Sequence, residues 1–233
     1  MSPKNPIFCA LDTTDMDRAV ALAERLKGTV GGIKIGMEFF NANGPQGYRA
    51  LAKTGLPIFL DLKLHDIPNT VAGGIRAVLP LQPAIVNVHA AGGLAMMRAA
   101  ADAAAEAGDQ RPLVIAVTML TSLDESDLRD TGVIGTPADH VLRLAHLTAR
   151  AGLDGIVCSA HEISALRREL GPAFKLIVPG IRPAGADIAD QKRVMTPPQA
   201  LSLGADVLVI GRPITGAPDP HDAAAAITAS LAA

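Results

Sequence analysis

Charged side chains are concentrated in one short segment of the chain, Asp61-Leu62-Lys63-Leu64-His65-Asp66. Asp61 and Lys63 lie two residues apart, so on a strand their side chains share one face. Because an unpaired buried charge is costly, these two must pair with each other or with a further charge, and Lys34 on a neighbouring strand is a suitable second cation. Such an array would hold Lys63 protonated and able to give a proton to a developing carbanion. The alternative is an ion-pair network that only closes one end of the fold.

A second candidate site follows the last apolar run, in Val209-Ile210-Gly211-Arg212-Pro213. The glycine allows a ligand to approach the backbone closely, and the guanidinium of Arg212 offers a fork of donors suited to a phosphate. Arg182, in Pro179-Gly180-Ile181-Arg182-Pro183, would serve the same corner. The alternative is a tight turn that carries a surface arginine.

Other polar residues give weaker signals. Cys158 and His161 would suit a thiol–imidazole pair, but a buried apolar cysteine is the favoured interpretation. His65 is interpreted as a packing or hydrogen-bonding residue, and His89 lacks a histidine or cysteine partner at metal-ligand spacing, so no metal site is predicted. The sequence contains no nucleophile elbow, Walker loop or dinucleotide fingerprint.

Composition excludes several classes of protein. The 233 residues carry a net charge of −2 and only 3% aromatic residues with no tryptophan, which argues against a nucleic-acid partner. Two cysteines cannot form a disulfide scaffold and fit a reducing compartment. The first apolar run is too short for a signal peptide or a membrane span. We therefore expect a cytoplasmic protein with no membrane partner.

The elements that must position these residues alternate regularly between strand and helix. Eight apolar runs predict strands, each buried on both faces as in a parallel sheet: 7–11, 32–35, 57–62, 84–88, 113–119, 155–158, 175–178 and 206–210. Helices are predicted near 15–27, 38–54, 68–80, 91–107, 137–151, 160–170, 197–203 and 219–231. This α/β pattern favours a single (β/α)8 TIM barrel spanning 1–233 over a doubly wound open sheet, and it places the candidate residues at the carboxyl ends of the strands.

Local signals mark where the helices begin and end. Thr13 or Thr14 is expected to cap the first helix, and Thr136-Pro137 and Thr196-Pro197 each combine a cap with a proline at the first helical position. Six glycines are expected to end helices, at positions 28, 55, 108, 152, 171 and 204. The long segments 121–136, where Ser122-Leu123-Asp124-Glu125 resembles a capping box, and 180–196 are predicted to be lids or binding loops, with solvated insertions as the alternative.

The segment Asp61-Leu62-Lys63-Leu64-His65-Asp66-Ile67-Pro68-Asn69-Thr70 closely resembles the signature of the orotidine 5′-monophosphate decarboxylases, in their short, single-function bacterial form. Supporting motifs run in the family's order from residue 11 to residue 216. They are Leu11-Asp12, Lys34-Ile35-Gly36-Met37-Glu38-Phe39-Phe40, Val117-Thr118-Met119-Leu120-Thr121-Ser122, Pro179-Gly180-Ile181-Arg182-Pro183, Asp190-Gln191-Lys192-Arg193, and Gly204-Ala205-Asp206 leading into Gly211-Arg212-Pro213-Ile214.

The resemblance implies decarboxylation of orotidine 5′-monophosphate to uridine 5′-monophosphate, the last step of de novo pyrimidine synthesis, without metal or cofactor. It assigns the charged array to Lys34, Asp61, Lys63 and Asp66, with Lys63 as the proton donor to C6. The signature as a whole is expected to contact substrate, together with Asp12 and Lys34 at the ribose, Thr121 and Ser122 near the pyrimidine, and Arg182, Gln191, Gly211 and Arg212 at the phosphate. A homodimer is implied, in which Asp66 and Thr70 complete the site of the other subunit.

Two alternatives belong to other classes of function. A related barrel enzyme acting on a sugar phosphate would use its acidic residues to bind Mg²⁺ for an enediolate. The stretch from His65 to Thr70 and the pair Asp190-Gln191 argue against it. A non-catalytic phosphate-binding barrel would have no use for a buried charged cluster, which is costly to keep.

Overall fold

Eight parallel strands close into a barrel in which each strand pairs with its neighbours in the sequence and the last pairs with the first. The computed structural model describes residues 5–183 and 195–231. The strands are β1 (Ile7–Ala10), β2 (Gly32–Gly36), β3 (Ile58–Leu64), β4 (Ile85–His89), β5 (Leu113–Val117), β6 (Gly155–Val157), β7 (Lys175–Pro179) and β8 (Val207–Ile210). The predicted TIM barrel is thus confirmed, and the open sheet is excluded.

Helices surround the barrel, and each predicted helix is present within a few residues of its expected ends. In the described residues they are α1 (Met16–Arg25), α2 (Met37–Ala52), α3 (Pro68–Val78), α4 (Gly93–Ala105), α5 (Glu125–Asp130), α6 (Pro137–Arg150), α7 (Ile163–Leu170), α8 (Pro197–Ser202), α9 (Arg212–Thr215) and α10 (Pro220–Ser230). Helix α2 is kinked at Gly44, whose φ is 56°. No helix in these ranges has the length and apolar character that a membrane span requires.

The helix-cap predictions are partly right. The cap of α1 is Asp15, which accepts from the Arg18 amide, so the prediction of Thr13 or Thr14 is wrong. The cap of α5 is Asp124 rather than Ser122, because Asp124 and Asp127 bond reciprocally to each other's backbone amides. Thr136 caps α6 as predicted. The six glycines expected to end helices all have positive φ, between 56° and 109°.

A layer of apolar side chains fills the barrel interior beneath the carboxyl ends of the strands. It is made of Phe8, Ala10, Phe59, Ile85, Ile115, Ile177, Val207 and Val209. Gly32 makes room for the Phe8 ring, since a Cβ at that position would clash with it. A larger apolar cluster lies between the strands and the helices. The barrel interior is therefore filled, and a ligand can bind only above this layer, at the carboxyl ends of the strands.

Two carboxylates at the amino ends of strands tie the opposite end of the barrel together. Asp154 receives two hydrogen bonds of 3.0 Å from Arg111 and one of 2.7 Å from the Val114 amide. Asp206 pairs with Arg167 at 2.7 Å and with Lys175 at 3.0 Å. These ion pairs link neighbouring strands and helices at this end of the barrel.

Candidate active site

Three charged side chains meet at the mouth of the barrel. The Asp61 carboxylate lies between two ammonium groups, with Oδ2 at 3.2 Å from Lys34 Nζ and Oδ1 at 2.6 Å from Lys63 Nζ. Asp12 extends the row, since its Oδ1 lies 3.5 Å from Lys34 Nζ. The Asp61 side chain is only 9% exposed and that of Lys34 12%, whereas that of Lys63 is 28% exposed. The predicted pairing is confirmed, and Lys63 is the member of the pair that a ligand can reach.

The neighbours of Asp61 decide its ionisation. Burial is the largest single influence and would by itself raise the pKa of the carboxyl. The charges of Lys34 and Lys63, with hydrogen bonds from Lys63 and Asn87, outweigh that effect and hold the pKa of Asp61 below its ordinary value of 3.8. Asp61 is therefore an anion at neutral pH, and its single negative charge offsets one of the two cations beside it.

Lys63 lies in a strained part of β3. Its φ is 51°, in the left-handed region that a residue with a Cβ rarely occupies. The pairing of β3 with β4 shifts register between Leu60 and Leu64, so Lys63 falls within a bulge. Its backbone amide donates to Asn87 Oδ1 at 2.8 Å. The bulge redirects the Lys63 side chain, and a side chain from the next strand secures it.

Asn87 is a site residue that the sequence reasoning missed. It is 1% exposed on β4, and its Nδ2 donates to Asp61 Oδ1 at 2.7 Å. One signal for it was present, because Asn87 is the single polar residue in the apolar run 84–88. A polar side chain inside a buried strand needs a partner, and that need points to the neighbouring charged strand.

A pocket of about 180 Å³ opens beside the array. The charged side chains Lys34, Asp61 and Lys63 form one wall, and Thr121 contributes a hydroxyl. The remaining lining is apolar or backbone: Phe59, Val117, Met119, Leu120, Val157, Ile177, Pro179 and Val209. A flat ring with one charged edge suits such a site, because apolar walls hold the ring and the array meets its charge.

The rest of the signature lies outside this pocket, on the surface of the single chain. Residues 65–70 are all exposed, and Ile67 is 66% exposed. Asp66 accepts from the Ile67 amide at 2.6 Å and has no ion pair within its own chain in the described ranges. The structure therefore does not bring Asp66 to Lys34, Asp61 and Lys63.

His65, the first residue of the exposed segment, contacts His89 at the end of β4. The rings of His65 and His89 lie 5.5 Å apart and are tilted by 34°. Burial, followed by the nearby His65 and Lys63, lowers the pKa of His89 below its ordinary 6.5. A neutral His89 is thus the favoured form at neutral pH.

The second candidate site lies where β8 leads into α9. Arg212 begins that short helix, Gly211 precedes it, and a Cβ at Gly211 would lie 3.5 Å from the Ala10 Cβ. Arg182 is 5% exposed after β7. Ser122 is exposed near Thr121, and the predicted Gln191 lies outside the described residues. Arg182 and Arg212 therefore follow the paired strands β7 and β8, and a Cβ at Gly211 would lie 3.9 Å from Asp12 Oδ2.

The two cysteines take no part in this site as nucleophiles. Cys158 is 1% exposed, and burial raises the pKa of its thiol well above 9.0. Cys9 is also buried, and burial raises the pKa of its thiol to about 12. A thiol so protonated is a poor nucleophile, so the prediction of a buried, inert Cys158 is confirmed.

Comparison with known proteins agrees with the geometry. Residues 5–227 match the model of the Orotidine 5′-phosphate decarboxylase / HUMPS family. A relative from Rhodospirillum rubrum, named orotidine 5′-phosphate decarboxylase, is 57% identical over 98% of this chain and 94% of its own length. A solved structure of orotidine 5′-phosphate decarboxylase from Lactobacillus acidophilus is 36% identical, covers 99% of this chain and 100% of that one, and superposes with a TM-score of 0.88. The chain therefore belongs to the Orotidine 5′-phosphate decarboxylase / HUMPS family of enzymes.

Proposed function

We propose that this chain decarboxylates orotidine 5′-monophosphate to uridine 5′-monophosphate and carbon dioxide, the last step of de novo pyrimidine synthesis. The observation that carries the proposal is the row Lys34–Asp61–Lys63, in which two ammonium groups flank one buried carboxylate beside an apolar pocket. Relatives at 57% identity named for this activity support it over the whole chain.

Lys63 is the proposed proton donor. The bond between C6 and the carboxylate carbon breaks, the electron pair stays on C6, and carbon dioxide leaves. Lys63 Nζ, held 2.6 Å from Asp61, stabilises the charge developing on C6 and then transfers a proton to that carbon. The neutral amine left behind takes a proton from water before the next turnover. Asp61 keeps the array in place and adds negative charge where the substrate carboxylate binds.

Substrate binding is assigned to residues around the array. Asp12 and Lys34 are proposed to bind the ribose. Asp12 follows β1, Lys34 lies on the adjacent strand β2, and their side chains are 3.5 Å apart. Thr121 and Ser122 are proposed to lie near the pyrimidine, which Thr121's position in the pocket lining supports. The phosphate is assigned to Arg182, Gln191, Gly211 and Arg212. That assignment follows the general preference of barrel enzymes for a phosphate site after the last two strands.

A homodimer with shared sites is part of the proposal. Asp66 and Thr70 lie on the exposed segment 65–70 and would enter the site of the partner subunit. The large exposed side chain of Ile67 would be buried by such an interface. Because Asp66 makes no ion pair with its own array in the described ranges, a second chain is the natural source of the fourth charge.

A magnesium-dependent enzyme acting on a sugar phosphate is less consistent with the site. Both oxygens of Asp61 already face ammonium groups, and Oδ1 also accepts from Asn87. A carboxylate surrounded by cations in this way is a poor ligand for a divalent cation. We propose a cytoplasmic enzyme that needs neither metal nor cofactor.

An absorbance assay tests the function. Purified protein is mixed with orotidine 5′-monophosphate in the presence and in the absence of EDTA, and loss of the substrate band is followed. The expected result is turnover that EDTA leaves unchanged. Turnover abolished by EDTA and restored by Mg²⁺ would contradict the metal-free mechanism, and no turnover with or without EDTA would contradict the proposed substrate.

A further inference from the structure

We propose that Asn87 is a positioning residue that holds Asp61 and Lys63 in their working arrangement through one buried amide. The inference rests on the proposed decarboxylase activity, since it concerns the same array. Asn87 touches no reacting atom in this proposal and acts only through its two neighbours. Its side chain is inside the barrel on β4 and is 1% exposed.

The orientation of the Asn87 amide follows from its partners. The backbone N–H of Lys63 can only donate, so the amide oxygen must face it, at 2.8 Å. The amide NH₂ then faces Asp61 Oδ1 at 2.7 Å and donates to it. An NH₂ group can only donate, so the Asn87 side chain hydrogen-bonds the ionised form of Asp61, whose oxygens both accept.

These hydrogen bonds form a closed ring that begins at the Lys63 backbone and ends at the Lys63 side chain. The Lys63 backbone donates to Asn87, Asn87 donates to Asp61, and Asp61 accepts from the Lys63 side chain at 2.6 Å. Asp61 Oδ1 thus has two donors while Oδ2 faces Lys34 at 3.2 Å, which fixes the rotation of the carboxylate. The same ring holds Lys63 at a φ of 51°, a conformation the backbone would otherwise leave.

Removal of Asn87 should therefore lower kcat more than it changes KM. Without the amide, the Lys63 backbone loses its acceptor and the Asp61 carboxylate loses a donor, so Lys63 Nζ moves from its place. A displacement of about 1 Å at a reacting group can cost on the order of 10²-fold in rate. Asn87→Ala and the similarly sized Asn87→Leu should both show such a fall in kcat, because Asn87 itself binds no part of the substrate.

Asn87→Asp gives a readout that a merely structural role would not produce. Two carboxylates would then face each other at about 2.7 Å, which two anions cannot tolerate, so one must take up a proton. The protonated form restores an O–H donor to Asp61. The groups facing position 87 are Asp61 and Lys63 on β3, Lys34 on β2, and His89 with His65, while Ile115 on β5 opposite it is apolar.

The experiment compares kcat and KM for wild type, Asn87→Ala, Asn87→Leu and Asn87→Asp between pH 5.5 and 8.5. The kcat of Asn87→Asp, divided by that of wild type at the same pH, should rise at least about tenfold as the pH falls, because the variant takes up one proton. The kcat of Asn87→Ala and that of Asn87→Leu, each divided by the wild-type value, should not change with pH. Thr148→Val is the matched control, because Thr148 is fully buried and donates to Leu144 on α6, away from the array.

Two kinetic outcomes would overturn the inference: a kcat of Asn87→Ala within threefold of wild type, or a loss of kcat that is the same for all three variants at every pH. Crystal structures of the variants separate this inference from the proposed function. Lys63 should leave the left-handed region in Asn87→Leu, whichever reaction the wild type catalyses. A wild type inactive on orotidine 5′-monophosphate would contradict the function alone. An unchanged Lys63 backbone in Asn87→Leu would contradict the positioning role alone.

Discussion

Lys63 is the residue on which the proposed chemistry depends most directly. Lys63→Ala should keep the fold and the affinity for uridine 5′-monophosphate but lose turnover, because the proton donor and the cation facing C6 disappear together. General acid catalysis alone is worth roughly 10²–10⁴-fold, and charge stabilisation adds to it. The measurements are kcat at saturating substrate and product affinity by calorimetry. Lys53→Ala, on an exposed lysine, is the control. A kcat within tenfold of wild type would contradict the role.

The lowered pKa of His89 should make the stability of the fold depend on pH. Its pKa in the folded protein is lowered from 6.5 by burial and by His65 and Lys63. Between the lowered value and 6.5 the unfolded chain binds a proton that the folded chain does not, so stability falls as the pH drops through this window. His89→Asn should reduce that slope in urea unfolding experiments between pH 7.5 and 5.5. His161→Asn controls for the loss of an imidazole at an exposed position. If the unfolding free energy of His89→Asn has the same slope against pH as that of wild type, another group causes the pH dependence.

The connection from β8 into α9 is the element proposed to bind phosphate. Arg212→Ala should weaken recognition of the nucleotide far more than that of the phosphate-free nucleoside, because in the proposed site the guanidinium fork contacts only the phosphate. The measurement is kcat/KM for orotidine 5′-monophosphate and for orotidine. If both substrates lose the same factor, Arg212 does not bind the phosphate.

Elements were largely predictable from the sequence because their signals are local. Apolar runs located all eight strands, and glycines with positive φ ended the helices as expected. The cap of α1 was misplaced by one or two residues because Thr13, Thr14 and Asp15 are all competent caps in a row. The bulge at Lys63 could not be predicted, since its securing bond comes from Asn87, 24 residues further on. The array itself was predictable because buried charges two residues apart must find partners.

The proposed dimer predicts that two inactive variants can complement each other. If Lys63 and Asp66 of each site come from different chains, a mixed dimer of Lys63→Ala and Asp66→Ala has one site with both defects and one with neither. Each homodimer should be nearly inactive, and subunit exchange between them should restore up to half of the wild-type activity per heterodimer. Mass spectrometry confirms the exchange. Background activity after complete exchange would show that Asp66 does not act in the partner's site.

At Lys63 the requirement for a catalytic side chain conflicts with the stability of the fold, because the backbone there is left-handed. Lys63→Ala and Lys63→Gly both remove the ammonium, but only glycine accepts a φ of 51° without steric cost. Alanine normally stabilises a chain relative to glycine, whereas here Lys63→Gly should be the more stable by about 1 kcal/mol in urea unfolding. A more stable Lys63→Ala would mean that the position carries no such strain. With the predicted order, this chain carries its proposed catalytic side chain at the one place in β3 where the backbone favours having none.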